Sequence, residues 1–200
     1  GELWSDEPGF ADELGEQHVS GICGSGIIEV IASMYLAGII RPDGIIDGAL
    51  SERNPRIQAD ERTFSYLLHA GEPEIYIQQT DVRAIQLVKA ALYAGARLLM
   101  DRMGVDKVDR IRLADAFGSH IDVKYAMVLG LIPDCALEQV SSANNAAGTG
   151  ARIALLNRAS RGEIETRVRE VEKVETAIDE SFQQLFVEAL GIPHSTQTYP

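Results

Sequence analysis

The 200-residue sequence predicts an α/β domain with a mixed sheet flanked by helices. The first observation behind this is the order of elements: a helix, a hairpin and a long helix, then strands and helices in alternation. The second is a set of three small-residue turns, Gly21-Ile-Cys-Gly-Ser-Gly26, Ala116-Phe-Gly-Ser119 and Asn144-Asn-Ala-Ala-Gly-Thr-Gly150. Turns of this kind at helix mouths bring backbone N–H groups up to an anion or a nucleotide. None matches a P-loop or a dinucleotide fingerprint, so spacing alone does not name the ligand.

Composition bounds the reading. An apolar fraction of 46% is ample for a packed core. A formal charge of −12 argues against electrostatic binding to nucleic acid or an anionic membrane surface. No apolar run approaches the roughly 20 residues of a membrane helix. The two cysteines, Cys23 and Cys135, cannot build a disulfide framework, a zinc finger or a four-cysteine cluster within one chain. A cytoplasmic location is the simple expectation.

In chain order, residues 1–18 are polar and aperiodic. Ser25 is expected to cap a helix over 26–37 that is apolar almost all round, with Gly38 ending it. Cys23 reads as a small buried residue in the turn before it. Glu29 is the one acid in that run, read either as solvent-facing or as a carboxylate one turn into a site. Residues 41–59 read as a loop anchored by Ile45 and Ile46. Residues 64–69 and 74–78 read as a hairpin about Gly71-Glu-Pro73.

Thr80 or Asp81 caps the longest helix, over 82–103. Its apolar stripe is Ile85, Val88, Leu92, Leu99 and Met103, expected to face the core. Gln86, Lys89 and Tyr93 share another face, read as either a solvated polar face or a ligand-touching one. A strand follows over 108–114, then a turn holding His120, a helix over 123–129 capped by Asp122, and a strand over 137–142. Asn144 or Asn145 caps a small-residue helix running to 158. A charged helix starts at Ser160, residues 171–178 are a candidate strand, and Asp179 caps a last amphipathic helix carrying Phe182, Leu185, Phe186 and Leu190.

Five stretches together, in order and spacing, resemble one family: Ser20-Gly-Ile-Cys-Gly-Ser-Gly26, Thr80-Asp-Val-Arg-Ala-Ile-Gln-Leu-Val-Lys89, Leu113-Ala-Asp-Ala-Phe-Gly-Ser-His-Ile-Asp122, Leu129-Gly-Leu-Ile-Pro133 and Asn145-Ala-Ala-Gly-Thr-Gly-Ala151. They are similar to the C-terminal domain of the reductive activators of corrinoid proteins, which belong to the acetate/sugar kinase, Hsp70 and actin superfamily. The resemblance runs from about Ser20 to His194. It implies an actin-like, ribonuclease H-like lobe with an inserted hairpin-and-helix subdomain, whose loop and hairpin occupy residues 40–80. Residues 1–200 would then be the second half of an actin-like ATPase-type domain.

The resemblance also implies a function. Such activators use ATP with Mg²⁺ to drive return of an electron to a corrinoid protein of a methyltransferase system, whose cobalt has been oxidised from Co(I) to Co(II). The electron passes through an iron–sulfur cluster, commonly a [2Fe–2S] domain, held outside this region. The implied nucleotide contacts are Gly24, Ser25 and Gly26 at the first turn, Gln86 and Lys89 over the adenine, Asp115, Ala116, Phe117 and Gly118 at the second turn, and Gly148 at the third. The implied partners are ATP and the corrinoid protein, with a homodimer as a further expectation. No catalytic side chain is assigned. Two rival readings stay open: a nucleotide-independent module that docks a corrinoid protein, and a small-molecule kinase lobe of the same superfamily.

Two positions depart from the family pattern. Asp115 and Asn144 stand where glycine is usual. A carboxylate at 115 adds a Cβ and a charge that repels phosphate, which predicts weakened nucleotide binding unless it faces a ribose hydroxyl or Mg²⁺.

Overall fold

The computed structural model describes residues 19–114 and 121–196. The first helix, α1, spans Gly24–Leu36 and buries Ile28, Ile31, Ala32 and Met34. Its cap is Cys23, whose Sγ accepts from the Gly26 N–H at 3.3 Å, so the helix starts two residues before the expected point and Ser25 lies inside the first turn. Cys23 is exposed, not buried as the sequence suggested, while Cys135 is buried. The segment after α1 folds back through a bridge between Ile40 and Ile46, both in the core.

Three antiparallel strands follow: β1 (Ile57–Asp60), β2 (Thr63–His69) and β3 (Ile75–Ile77), in that order across the sheet. The β2–β3 hairpin matches the sequence reading. β1 was hidden within an apparent loop, because its connection to β2 carries no glycine; Glu61 takes the positive φ of 50° instead.

Helix α2 spans Gln79–Arg102. The Asp81 carboxylate accepts the backbone N–H of Gln78 at 2.8 Å, tying off the helix start. Its orientation departs from the expectation for all of the apolar stripe except Ile85, which packs against the main core. Val88, Leu92, Leu99 and Met103 are exposed, Met103 by 77%, while Gln86, Lys89 and Tyr93 are buried, Lys89 completely. The solvated alternative for the polar face does not hold: the face is buried against the chain itself. Ala90 and Tyr93 pack with Ala189, Phe186 and Leu190 of the last helix and its exit.

Strand β4 (Ile111–Leu113) pairs in parallel with β5 (Val140–Ser142), with Ile111 opposite Val140 and Leu113 opposite Ser142. Helix α3 (Val123–Val128) lies between them in sequence and is capped by Asp122, which accepts from Lys124 N at 2.8 Å. Residues Leu137–Gln139, expected as strand, form a 3-10 turn into β5. The antiparallel and parallel ladders are separate sheets among the described residues.

Helix α4 (Ala146–Leu156) follows β5, and Asn157 both ends it and caps α5 (Arg158–Glu170). Neither helix has a buried residue. The candidate strand over 171–178 is instead extended chain and a 3-10 turn, Thr176–Ile178. The last helix, α6 (Glu180–Glu188), is capped by Asp179 as expected. The main core joins α1, the 40–46 loop, the first sheet, α3 and Ile192 of the C-terminal segment. No described helix is long and apolar enough to cross a membrane.

Candidate nucleotide site and the C-terminal clasp

Parallel strands aim their C-terminal ends at one edge, where open α/β sheets receive ligands. At this edge β4 and β5 stay locked together one residue past the ladder, through Ala143 N–H to the Leu113 carbonyl at 2.8 Å. The chain then turns at Asn144, with φ at +53°. That left-handed backbone favours glycine, and asparagine is among the few side chains that tolerate it. Asn144 therefore supplies the backbone shape that a glycine would supply. Its N–H donates to Ser142 Oγ at 3.1 Å.

Asn145 then caps α4, its Oδ1 accepting from Gly148 N at 2.8 Å. The first turn of α4 carries no acidic residue, and residues 144–147 are exposed. A helix mouth of this kind presents partial positive charge to solvent. The second turn expected at this edge, with Asp115, Ala116, Phe117 and Gly118, lies outside the described residues.

At α1, Gly24 and Ser25 form the first turn, and Ser25 Oγ lies 3.3 Å from Cys23 Sγ. Hydrogen bonds from the Ser25 side chain and then the Gly26 backbone lower the Cys23 thiol from its usual pKa. Sequence reasoning missed this thiol because it weighed Cys23 as a packing residue. The signal was its place immediately before a small-residue helix mouth.

Gln86 and Lys89 occupy a different place. Gln86 Oε1 accepts from Arg83 Nη1 at 2.7 Å, and its Nε2 donates to the carbonyls of Leu190 at 2.6 Å and Asp43 at 3.3 Å. Lys89 Nζ donates to the carbonyls of Ala189 at 2.6 Å, Gly191 at 2.5 Å and Pro193 at 2.7 Å. Four carbonyls within five residues of the C-terminal segment are thus held by two side chains one turn apart on α2. The loop at Gly44 completes the clasp: with φ at +80°, a Cβ there would sit 2.3 Å from the Gln86 amide. Burial pushes Lys89 down to about 8 from 10.5. His194, its ring 5.1 Å from that of Tyr93, is also lowered, by its own burial and then by the Lys89 charge.

No group of three or more His, Cys, Asp or Glu among the described residues is arranged to hold a metal ion.

Comparison with known proteins gives the site its context. The chain is 37% identical over 186 residues to the corrinoid activation enzyme RamQ of Eubacterium limosum, covering 87% of this chain and 31% of that protein. Its fold matches the solved structure of a reductive activator for corrinoid, iron-sulfur protein, with a TM-score of 0.78 and 32% identity over 88% of this chain and 29% of that one. The chain thus spans about a third of the length of these relatives. A family described as the C-terminal domain of RACo, the ASKHA domain, matches residues 7–200. The chain belongs to this family of ASKHA domains of corrinoid activators.

Proposed function

We propose that this chain is a lobe of an ATP-dependent activator that restores a corrinoid protein from Co(II) to Co(I). One electron would pass from a [2Fe–2S] domain held elsewhere in a longer protein to the cobalt, and nucleotide state would set whether the partner is held in the form that accepts it. The observation that carries the reading is the kinship, along nearly the whole chain, with two proteins named for corrinoid activation.

The local geometry supports a nucleotide at the C-terminal edge of β4 and β5. The exposed positive end of the α4 dipole, the small residues Ala146, Ala147 and Gly148, and the absence of a first-turn acid suit a phosphate. ATP supplies the binding and hydrolysis energy that couples to partner affinity. This chain's own part is to hold the phosphates at α4, with Gly24, Ser25 and Gly26 contributing the α1 turn and Asp115–Gly118, outside the described residues, as further expected contacts. Gln86 and Lys89 stay outside this reading, because their polar atoms are engaged by backbone carbonyls and Arg83.

That engagement favours one second reading, a docking module for a corrinoid protein that has no need of nucleotide. Calorimetric titration of MgATP into the longer protein, with and without its corrinoid partner, separates the two. A ligand shifts a conformational equilibrium only by its differential affinity for the two states, and the coupling is reciprocal. The activator reading expects ATP to bind with an affinity that changes when the partner is present. No ATP binding, or equal affinity in both cases, supports the docking module.

A further inference from the structure

The clasp at Lys89 is unusual in what it lacks. A buried ammonium ordinarily pairs with a carboxylate. Among the described residues no carboxylate forms an ion pair with Lys89; its three hydrogen bonds all go to backbone carbonyls at 2.5–2.7 Å. An ammonium has three donors and no acceptor, so donors and acceptors match one to one. The Ala189 carbonyl belongs to the C-cap of α6, where the orphan carbonyls and the negative end of the helix dipole attract a cation. The other charged or titratable groups near the clasp are His194, which feels the Lys89 charge, Glu188, which acts on His194, and Arg83 and Asp43 along Gln86.

We propose that the carbonyls of Ala189, Gly191 and Pro193 form a monovalent-cation site that the protein fills with its own tethered ammonium, Lys89. What the site accepts is a donor group or cation of ammonium or potassium size, and filling the space between the three carbonyls is what holds the C-terminal segment on α2. Converging carbonyl oxygens are how proteins replace the hydration shell of potassium. The loop from Ala189 to Pro193 is bent so that its carbonyls point inward. With neither a donor nor a cation between them they would face one another unsatisfied; the Leu190 carbonyl is held separately by Gln86.

The test is rescue by a free ion. Lys89→Ala removes the tether and leaves room at the carbonyls. Its melting temperature in choline chloride should fall by roughly 10 °C. Potassium or ammonium chloride at the same ionic strength should restore at least half of that loss, and leave the wild type unmoved. Lys89→Met, which refills the space with an apolar chain, should fall and show no potassium rescue. Equal recovery of Lys89→Ala in choline and potassium, or no recovery, overturns the proposal. Nitrogen-15 spectra of lysine side chains in the wild type give a second arm that needs no variant. An ammonium at position 89 shielded from solvent exchange at pH 7 is the expected result, and a neutral amine there overturns the proposal.

Discussion

Lys89 and Ala189 stand 100 residues apart in the chain, yet the ammonium of the first donates to the carbonyl of the second at 2.6 Å. This contact, with its neighbours at Gly191 and Pro193, fixes which face of α2 is inside. It also sets how stability responds to pH. The unfolded lysine holds its proton up to about 10.5, while burial makes the folded one release it from about 8. Between these values the unfolded chain binds more protons, so raising the pH favours the folded state, by roughly 3 kcal/mol at most. The gain is full above 10.5 and lost as pH falls through 8. Urea unfolding of wild type and Lys89→Met across this window checks it: the difference between them should grow with pH in favour of wild type. A difference that shrinks with pH would mean the carbonyls hold the proton more strongly than burial expels it.

Gly44 is expected to be intolerant of any side chain. Its φ of +80° already penalises an L-residue, and a Cβ would collide with Gln86 at 2.3 Å. Gly44→Ala should cost roughly 1–3 kcal/mol. Chemical denaturation measures it, and a change under half the lower figure would mean the loop relaxes without disturbing Gln86.

Asn144 tests the backbone argument at the α4 mouth. Asn144→Gly should leave stability within about 0.5 kcal/mol of wild type, since glycine meets the same positive φ freely. Asn144→Val should destabilise the turn by roughly 1–2 kcal/mol. Because α4 has no buried residue, the effect should be sought as faster amide exchange in α4 rather than in the global melt. Equal exchange in all three proteins would contradict the assignment.

Cys23 and Cys135 should differ in reactivity. Cys23 is exposed, and its thiol is lowered by the Ser25 side chain and the Gly26 N–H; Cys135 is buried. Iodoacetamide at neutral pH should modify Cys23 first, and Ser25→Ala should slow that reaction. Preferential labelling of Cys135 in the folded protein would overturn this.

Much of the local structure was legible because its causes are local. Asp122, Asn145 and Asp179 cap the helices that follow them, since a short side chain and the N–H it accepts lie two or three residues apart. The β2–β3 hairpin was legible in the same way. β1 was not, because its turn uses Glu61 where a glycine or asparagine would have announced it. Nor was the orientation of α2. Periodicity identifies residues that share a face, but which face is buried depends on what packs there. Here that is a C-terminal loop whose carbonyls need donors, so Lys89 is buried and Leu92 and Val88 are exposed. At the candidate nucleotide edge the sequence marked Gly148 and left the cap between Asn144 and Asn145; the structure gives the cap to Asn145 and the positive φ to Asn144.

The central claim, an ATP-coupled lobe of a corrinoid activator, is tested most directly by following the visible spectrum of the corrinoid protein. The longer protein, supplied with a low-potential reductant, is mixed with the Co(II) form, with and without MgATP. The same is done with Asn145→Ala, which weakens the α4 mouth by roughly 1 kcal/mol. The account predicts Co(I) formation that depends on ATP and requires more ATP in the variant. Co(I) formation at the same rate without nucleotide, or at the same ATP dependence in the variant, would contradict it.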